Sequence, residues 1–279
     1  MPLGLDAAGA ARTIRAGEIT SEALVRACLD RIEARDADVK AWSFIDPDAV
    51  LRMARDRDKT LAAGGKIGPL HGIPFGVKDV IDTCDMPTTS NSPIYEGYRP
   101  SIDAECVRVA RAAGAVILGK TDTVEFAAGG RRAATRNPHN LAHTPGGSSS
   151  GSGAAVADGQ VSLAFGTQTA GSLIRPASYN GIYALKPTHG AVAWPGARQY
   201  APTLDTIGWY GRSVADLALV ASAFRLRGLE HTTELPAAGL KVGLCRSPTW
   251  DLASESARAA LSFAGDRLRA AGCSVFQLE

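Results

Sequence analysis

The sequence predicts an α/β protein, with helical layers around a mostly parallel or mixed β-sheet. Two observations carry this. Short apolar runs of strand length alternate with amphipathic helical stretches along the chain. The 279 residues, 45% apolar and 21% charged, are also enough to bury a large core. A third feature points to a site: the 30 glycines and 15 prolines gather in a few segments. With no internal repeat and no long linker, one domain over 1–279 is expected, its first 5–65 or so mainly helical.

The elements follow in order. A helix is expected over 20–36, where Leu24, Cys28 and Ile32 share one face and Thr20 or Ser21 can cap the first turn. A second covers 47–63 and stops at Gly64 and Gly65. Residues 68–83, GPLHGIPFGVKDVIDT, break short apolar runs with Gly and Pro and read as a strand entering a site. Residues 103–113 form a helix and 115–120, AVILGK, a buried strand of parallel type. Residues 137–153, NPHNLAHTPGGSSSGSG, cannot begin as regular structure and lead into a small-residue helix near 154–157. VSLAFGTQT (161–169) is strand then turn, followed by a short segment at 171–181 and a strand near 182–186. The last third repeats the alternation, with strands at 206–212, 240–244 and 273–279 and helices at 213–224 and 254–271.

Charge and composition exclude several classes. Lys plus Arg number 30 against 28 Asp plus Glu, a net charge of +2 with no basic stripe, which argues against a nucleic-acid partner. Arg52, Arg55 and Arg57 interleave with Asp56 and Asp58, as on a solvated helix face. No apolar run approaches the ~18 residues of a membrane span. The first twenty residues carry Asp6 and Glu18 and lack an apolar signal core. Five scattered cysteines (Cys28, Cys84, Cys106, Cys245, Cys273) with no Cys-x-x-Cys pair suit a reducing compartment. A cytoplasmic protein without membrane contact is expected.

Two patterns are set aside. GAVILGKT (114–121) satisfies the phosphate-loop pattern and would make a different class of protein, an ATP binder with Mg²⁺. Its middle positions, Ala115 to Leu118, belong inside a strand, and a buried strand is the stronger reading. His139 and His143 have the four-residue spacing of helical zinc ligands, but Pro138 and the Thr144–Gly147 run deny them a helix. They are read as loop-ordering or surface groups, with no metal and no organic cofactor. His71, His189 and His231 are isolated.

Three features combine into chemistry. Lys78, in GVKD at a predicted strand end, lies between Val77 and Val80. GGSSSGSG (146–153) sits mid-chain and feeds into a helix, which favours a tight backbone nest over a linker. TQTAGSLIRPA (167–177) puts Ser172 at a sharp turn where several amides can converge. Together these resemble the amidase signature family, whose pattern joins G-(I/V)-K-D, a GGSS-G-S run and a GT-(D/Q)-T-G-G-S stretch. They appear here at 76–79, 146–152 and 166–172. GPLHGIPFGVKD, DAECVRVARAAGAVILGKT, EFA at 125–127 and GIYALKPT extend the similarity over most of 5–279.

The resemblance implies a central mixed, twisted sheet with helices on both faces and a catalytic core over about 66–279. It implies a Ser-Ser-Lys triad: Ser172 as nucleophile, Ser148 as bridging serine at a cis peptide bond, Lys78 as base. The backbone N–H groups of Thr169, Ala170, Gly171 and Ser172 are the oxyanion-hole candidates, with Ala170 where the family usually has glycine. Serine is a weak nucleophile until a base takes its proton. A lysine base must fall from ~10.4 to ~7–8, a bias of roughly 4 kcal/mol against the ammonium.

The commoner pattern, D-T-G-G-S-I-R-x-P, places arginine two residues after the nucleophile. Here Gln168 replaces the aspartate and Arg175 stands three residues after Ser172, a variant that resembles the malonamidase-like branch. Arg175, Gln168 and Ser149 are the substrate-binding candidates, with Arg175 able to clamp a carboxylate bidentately. The alternative is that Arg175 caps or pairs inside the domain. The expected activity is hydrolysis of a small carboxamide through an acyl-enzyme. The alternatives are hydrolysis of urea-derived amides and the role of an amidotransferase A-type subunit. Because members of the family are longer, the resemblance implies that a C-terminal part of the family domain is absent. Sheet edge left exposed by that would favour self-association, in the simplest case a homodimer.

Overall fold

The computed structural model describes residues 4–226 and 236–278; His231 and Glu279 lie outside them. The chain divides into two compact units, residues 1–230 and 231–279. The first begins with α1 (Ala7–Arg15), whose first turn Asp6 caps by accepting the Gly9 N–H at 2.7 Å. This helix falls within the stretch expected to be mainly helical but is not distinguished there as a separate element, because AAGAARTIR offers few large apolar side chains. Next come α2 (Ser21–Val39), capped by Thr20, then β1 (Trp42–Phe44) and α3 (Pro47–Ala62), with Asp46 as cap and Pro47 in the first turn. β2 (Pro74–Lys78), α4 (Glu105–Ala112), β3 (Val116–Thr121), α5 (Ser150–Ala157) and β4 (Leu163–Gln168) form the centre. The unit closes with α6 (Ile174–Asn180), β5 (Tyr183–Leu185), β6 (Thr206–Gly211) and α7 (Val214–Ala223).

The six strands form one mixed sheet in the order β1-β3-β2-β4-β6-β5. β2 runs parallel to β3 and β4, and the other pairings are antiparallel. Both faces are covered, as the period-2 alternation of side chains requires. On one face Phe75, Val77, Ile117, Phe165 and Trp209 meet Ile14 of α1, Val107 of α4 and Val220 of α7. On the other, Val116, Leu118, Ala164 and Tyr210 meet Val25 of α2, Val50 of α3 and Ala154 of α5.

The β2–β3 register shifts between Phe75 and Gly76, which moves Lys120 out of the alternation set by Val116 and Leu118. Its ammonium is buried, donates to Ile81 O and Thr88 Oγ1 (2.5 and 2.6 Å), and lies 3.7 Å from the Asp79 carboxylate. GAVILGKT is therefore a turn and a buried strand. Gly114 makes the turn at φ +98°, where a Cβ would fall 2.6 Å from His71 Cα.

The second unit is a β-α-β piece. β7 (Lys241–Cys245) pairs in parallel with β8 (Ser274–Leu278) through α8 (Glu255–Ala270), capped by Ser254. Among the described residues no helix is long and apolar enough to cross a membrane.

Candidate active site

Strand β2 delivers Lys78 to the C-terminal end of the sheet centre, where its side chain is 0% exposed. Its Nζ lies 2.8 Å from Ser148 Oγ and 2.7 Å from Thr167 Oγ1, the second at the end of β4. Burial pushes the lysine well below its ordinary range, with the Asp205 carboxylate pulling the other way. Both hydrogen-bonding partners are neutral hydroxyls, so nothing in direct contact compensates an ammonium charge. This environment favours the free amine, the form a base needs.

The GGSSSGSG run is tied down at nearly every residue. The Gly147–Ser148 peptide is cis. The Ser148 carbonyl accepts from Thr123 Oγ1 (3.0 Å) and the Val124 N–H (3.1 Å). The Ser149 hydroxyl donates to Thr167 O and accepts from the Thr167 N–H, both at 3.2 Å. Ser150 Oγ reaches Gly146 O at 2.8 Å, and Ser152 Oγ reaches Phe165 O at 2.8 Å. A Cβ on Gly151 would sit 2.2 Å from Ala41 O and 2.4 Å from the Asp122 nitrogen, so only glycine allows α5 to come this close. A linker would show none of this fixing.

Ser172 occupies the turn between β4 and α6, half-buried, and its carbonyl accepts the Ser149 N–H at 3.3 Å. Gln168 Oε1 accepts the N–H groups of Leu173 and Ile174, both at 3.0 Å, which satisfies the first donors of α6. Among the described residues, the N–H groups of Thr169, Ala170, Gly171 and Ser172 donate to no protein acceptor. Ala170 keeps a φ outside the left-handed region, so alanine is accommodated where the family usually has glycine.

The three substrate-binding candidates are placed differently from one another. Ser149 is 0% exposed with its hydroxyl engaged on β4, which fastens the nest to the sheet. Gln168 shapes the turn that carries Ser172. Arg175 stands in the first turn of α6 with Nε and Nη2 both donating to Gly147 O, at 3.0 and 2.5 Å. Beside it opens a cavity of about 420 Å³ lined by Arg132, Thr144, Gly146, Gly147, Arg175 and Tyr179 among others.

His139 and His143 order their loop: His139 Nε2 lies 2.9 Å from Asn180 O, and the His143 carbonyl accepts the Asn137 N–H. Cys84, Asp85 and Asp103 bring donor atoms within 4.8 Å of one another, yet both carboxylates are already paired to Arg111, at 2.7 and 3.0 Å. Sequence reading did not single out Thr167, Thr123 or Asp205. Thr167 sits inside the TQT stretch, where its proximity to Ser172 was the available signal. Asp205, whose carboxylate accepts from Thr169 Oγ1 and the N–H groups of Tyr200 and Ala201, stands just before β6 with no local signal.

Comparison with known proteins gives concordant results. The family model described as Amidase matches residues 23–279. An A-type subunit of glutamyl-tRNA(Gln) amidotransferase from Acidothermus cellulolyticus is 46% identical over 218 residues, 76% of this chain and 43% of that protein. Its counterpart from Salinispora arenicola is 36% identical over 296 residues, covering 98% and 60%. Among solved structures, native peptide amidase from Stenotrophomonas maltophilia superposes with a TM-score of 0.88 at 34% identity, covering 99% of this chain and 62% of that one. Fatty acid amide hydrolase gives 0.87 at 25% identity, covering 99% and 52%. The chain spans about half the length of the curated relatives it matches.

Proposed function

Because the chain belongs to the amidase family, we propose that it carries the nucleophile, relay and base of an amidohydrolase acting on a small carboxamide. The observation that supports this most is the fully buried Lys78 amine held 2.8 Å from the Ser148 hydroxyl. Ser172 Oγ attacks the amide carbonyl carbon. Its proton passes to Ser148 Oγ as the Ser148 proton passes to Lys78 Nζ. Negative charge gathers on the former carbonyl oxygen, where the unspent N–H groups of residues 169–172 are the available donors. Collapse breaks the C–N bond, and the leaving nitrogen takes back a proton from Lys78 through Ser148. Water then attacks the Ser172 ester by the same relay in reverse, releasing the carboxylate.

A second reading is favoured by the names of the curated relatives, which are A-type amidotransferase subunits. There the same triad would release ammonia from an amide for a partner's use. Either way the nucleophile is the first thing to test. A fluorophosphonate probe forms an Oγ–P bond with loss of fluoride and needs no knowledge of the substrate. Labelling mapped to Ser172 and lost in Ser172→Ala is expected. A folded wild-type chain that does not label refutes the assignment. Ammonia release from short dicarboxylic monoamides by the chain alone would then separate a free amidase from one that works only within a complex.

A further inference from the structure

We infer that Arg175 is a positioning residue for the bridging serine, acting through the Gly147 carbonyl; this rests on the triad reading above. The backbone of Ser148 is gripped from two sides. Thr123 Oγ1 and the Val124 N–H, just beyond β3, hold the Ser148 carbonyl at 3.0 and 3.1 Å. From α6, Nε and Nη2 of Arg175 converge on the Gly147 carbonyl. With the carbonyl on each side of the Ser148 N–Cα–C unit fixed, the direction of its Cα–Cβ bond is set, and so is the approach of its hydroxyl to Lys78.

The geometry also joins the two serines. Arg175 stands three residues after Ser172, and its own N–H closes on Gly171 O at 2.9 Å, at the first turn of α6. The guanidinium therefore fixes the distance between the turn that carries the nucleophile and the loop that carries the relay. The backbones approach closely here: a Cβ on Gly146 would fall 3.1 Å from Pro176 Cα. Among the described residues Arg175 forms no ion pair, so its contribution is a planar fork on one neutral oxygen. Lysine, a single point donor on a different stem, cannot reproduce that fork.

The two roles open to Arg175 predict opposite behaviour toward a probe that bears no carboxylate. A substrate clamp is irrelevant to fluorophosphonate labelling, whereas a positioning residue governs its chemical step. The test measures kinact and KI for labelling of Ser172 in wild type, Arg175→Met, Arg175→Lys and Arg175→Ala, with folding followed by circular dichroism. Misplacing a relay by about 1 Å costs on the order of 10²-fold. The expected result is a loss of that order in kinact for Arg175→Met, a smaller loss for Arg175→Lys, and KI unchanged in both. Added methylguanidinium should restore part of the Arg175→Ala rate and leave wild type unaffected, which a merely structural lesion would not show. Folded Arg175→Met and Arg175→Lys that label at the wild-type rate overturn the positioning role alone. Loss in Arg175→Ala with no recovery in methylguanidinium also overturns it. A wild-type chain that does not label removes the triad reading and this role with it.

Discussion

Replacing Lys78 with methionine should make the stability difference between wild type and variant depend on pH in a defined direction. Lys78 is fully buried and its ammonium is disfavoured, so its value in the folded chain lies well below the ordinary 10.5. Between those two values the unfolded chain binds a proton that the folded chain lacks. Raising the pH through this window therefore stabilises the fold, by up to 2.303RT or about 1.4 kcal/mol per pH unit. Below the window both states are protonated and the burial penalty is fully present. Above it both are neutral and the penalty is gone.

Lys78→Met removes this slope. It also strips a partner from the Ser148 and Thr167 hydroxyls, a cost of about 1–3 kcal/mol for each buried group left unpaired, independent of pH. That offset sets which protein is more stable at a given pH, and the slope is the test. Urea denaturation of both proteins at pH 7, 8, 9 and 10 gives the two stabilities, and other titrating groups cancel in the difference. Wild type should gain on the variant as pH rises toward 10.5. A flat difference, or one that falls, would refute the claim that burial holds Lys78 as the free amine.

Two further outcomes follow from the fold. Lys120 and Asp79 are buried together 3.7 Å apart, and burial draws the lysine down to about 8 while raising the aspartate. Lys120→Met leaves Asp79 without its counter-charge and should cost about 3–5 kcal/mol in urea denaturation, whereas removing both charges together should cost less than that. Gly151→Ala places a methyl group 2.2 Å from Ala41 O. It should destabilise the chain by about 1–3 kcal/mol and slow Ser172 labelling, because the displaced segment carries Ser148.

Much of the site was legible because its information is local. GVKD at the end of an apolar run gave a lysine at a strand end, and β2 stops at Lys78. The place of the Gly/Ser run before a helix predicts a nest, and α5 begins within it at Ser150. TQTAGS gave a turn because small residues interrupt an apolar run, and the turn lies between β4 and α6. Helices with caps and clear periodicity were placed to within a few residues. α1 and β1 were not, since nine residues dominated by alanine and three residues of strand carry too little pattern.

The sequence by itself determined most of the element types, an α/β class and the residues that carry the family's motifs, because periodicity, turn chemistry and motif spacing act over a few neighbouring positions. Only the tertiary structure decided which polar groups meet. Thr167 became the second hydroxyl on Lys78 because β4 pairs beside β2. Asp205 came within electrostatic reach of the same lysine because β6 pairs with β4. Ser149, expected at the substrate, was drawn onto β4. Arg175 was drawn onto the Gly147 carbonyl, and a register shift buried Lys120 beside Asp79. Each choice is made by the requirement that buried polar groups find partners, and those partners are selected by strand order and helix packing across the whole chain.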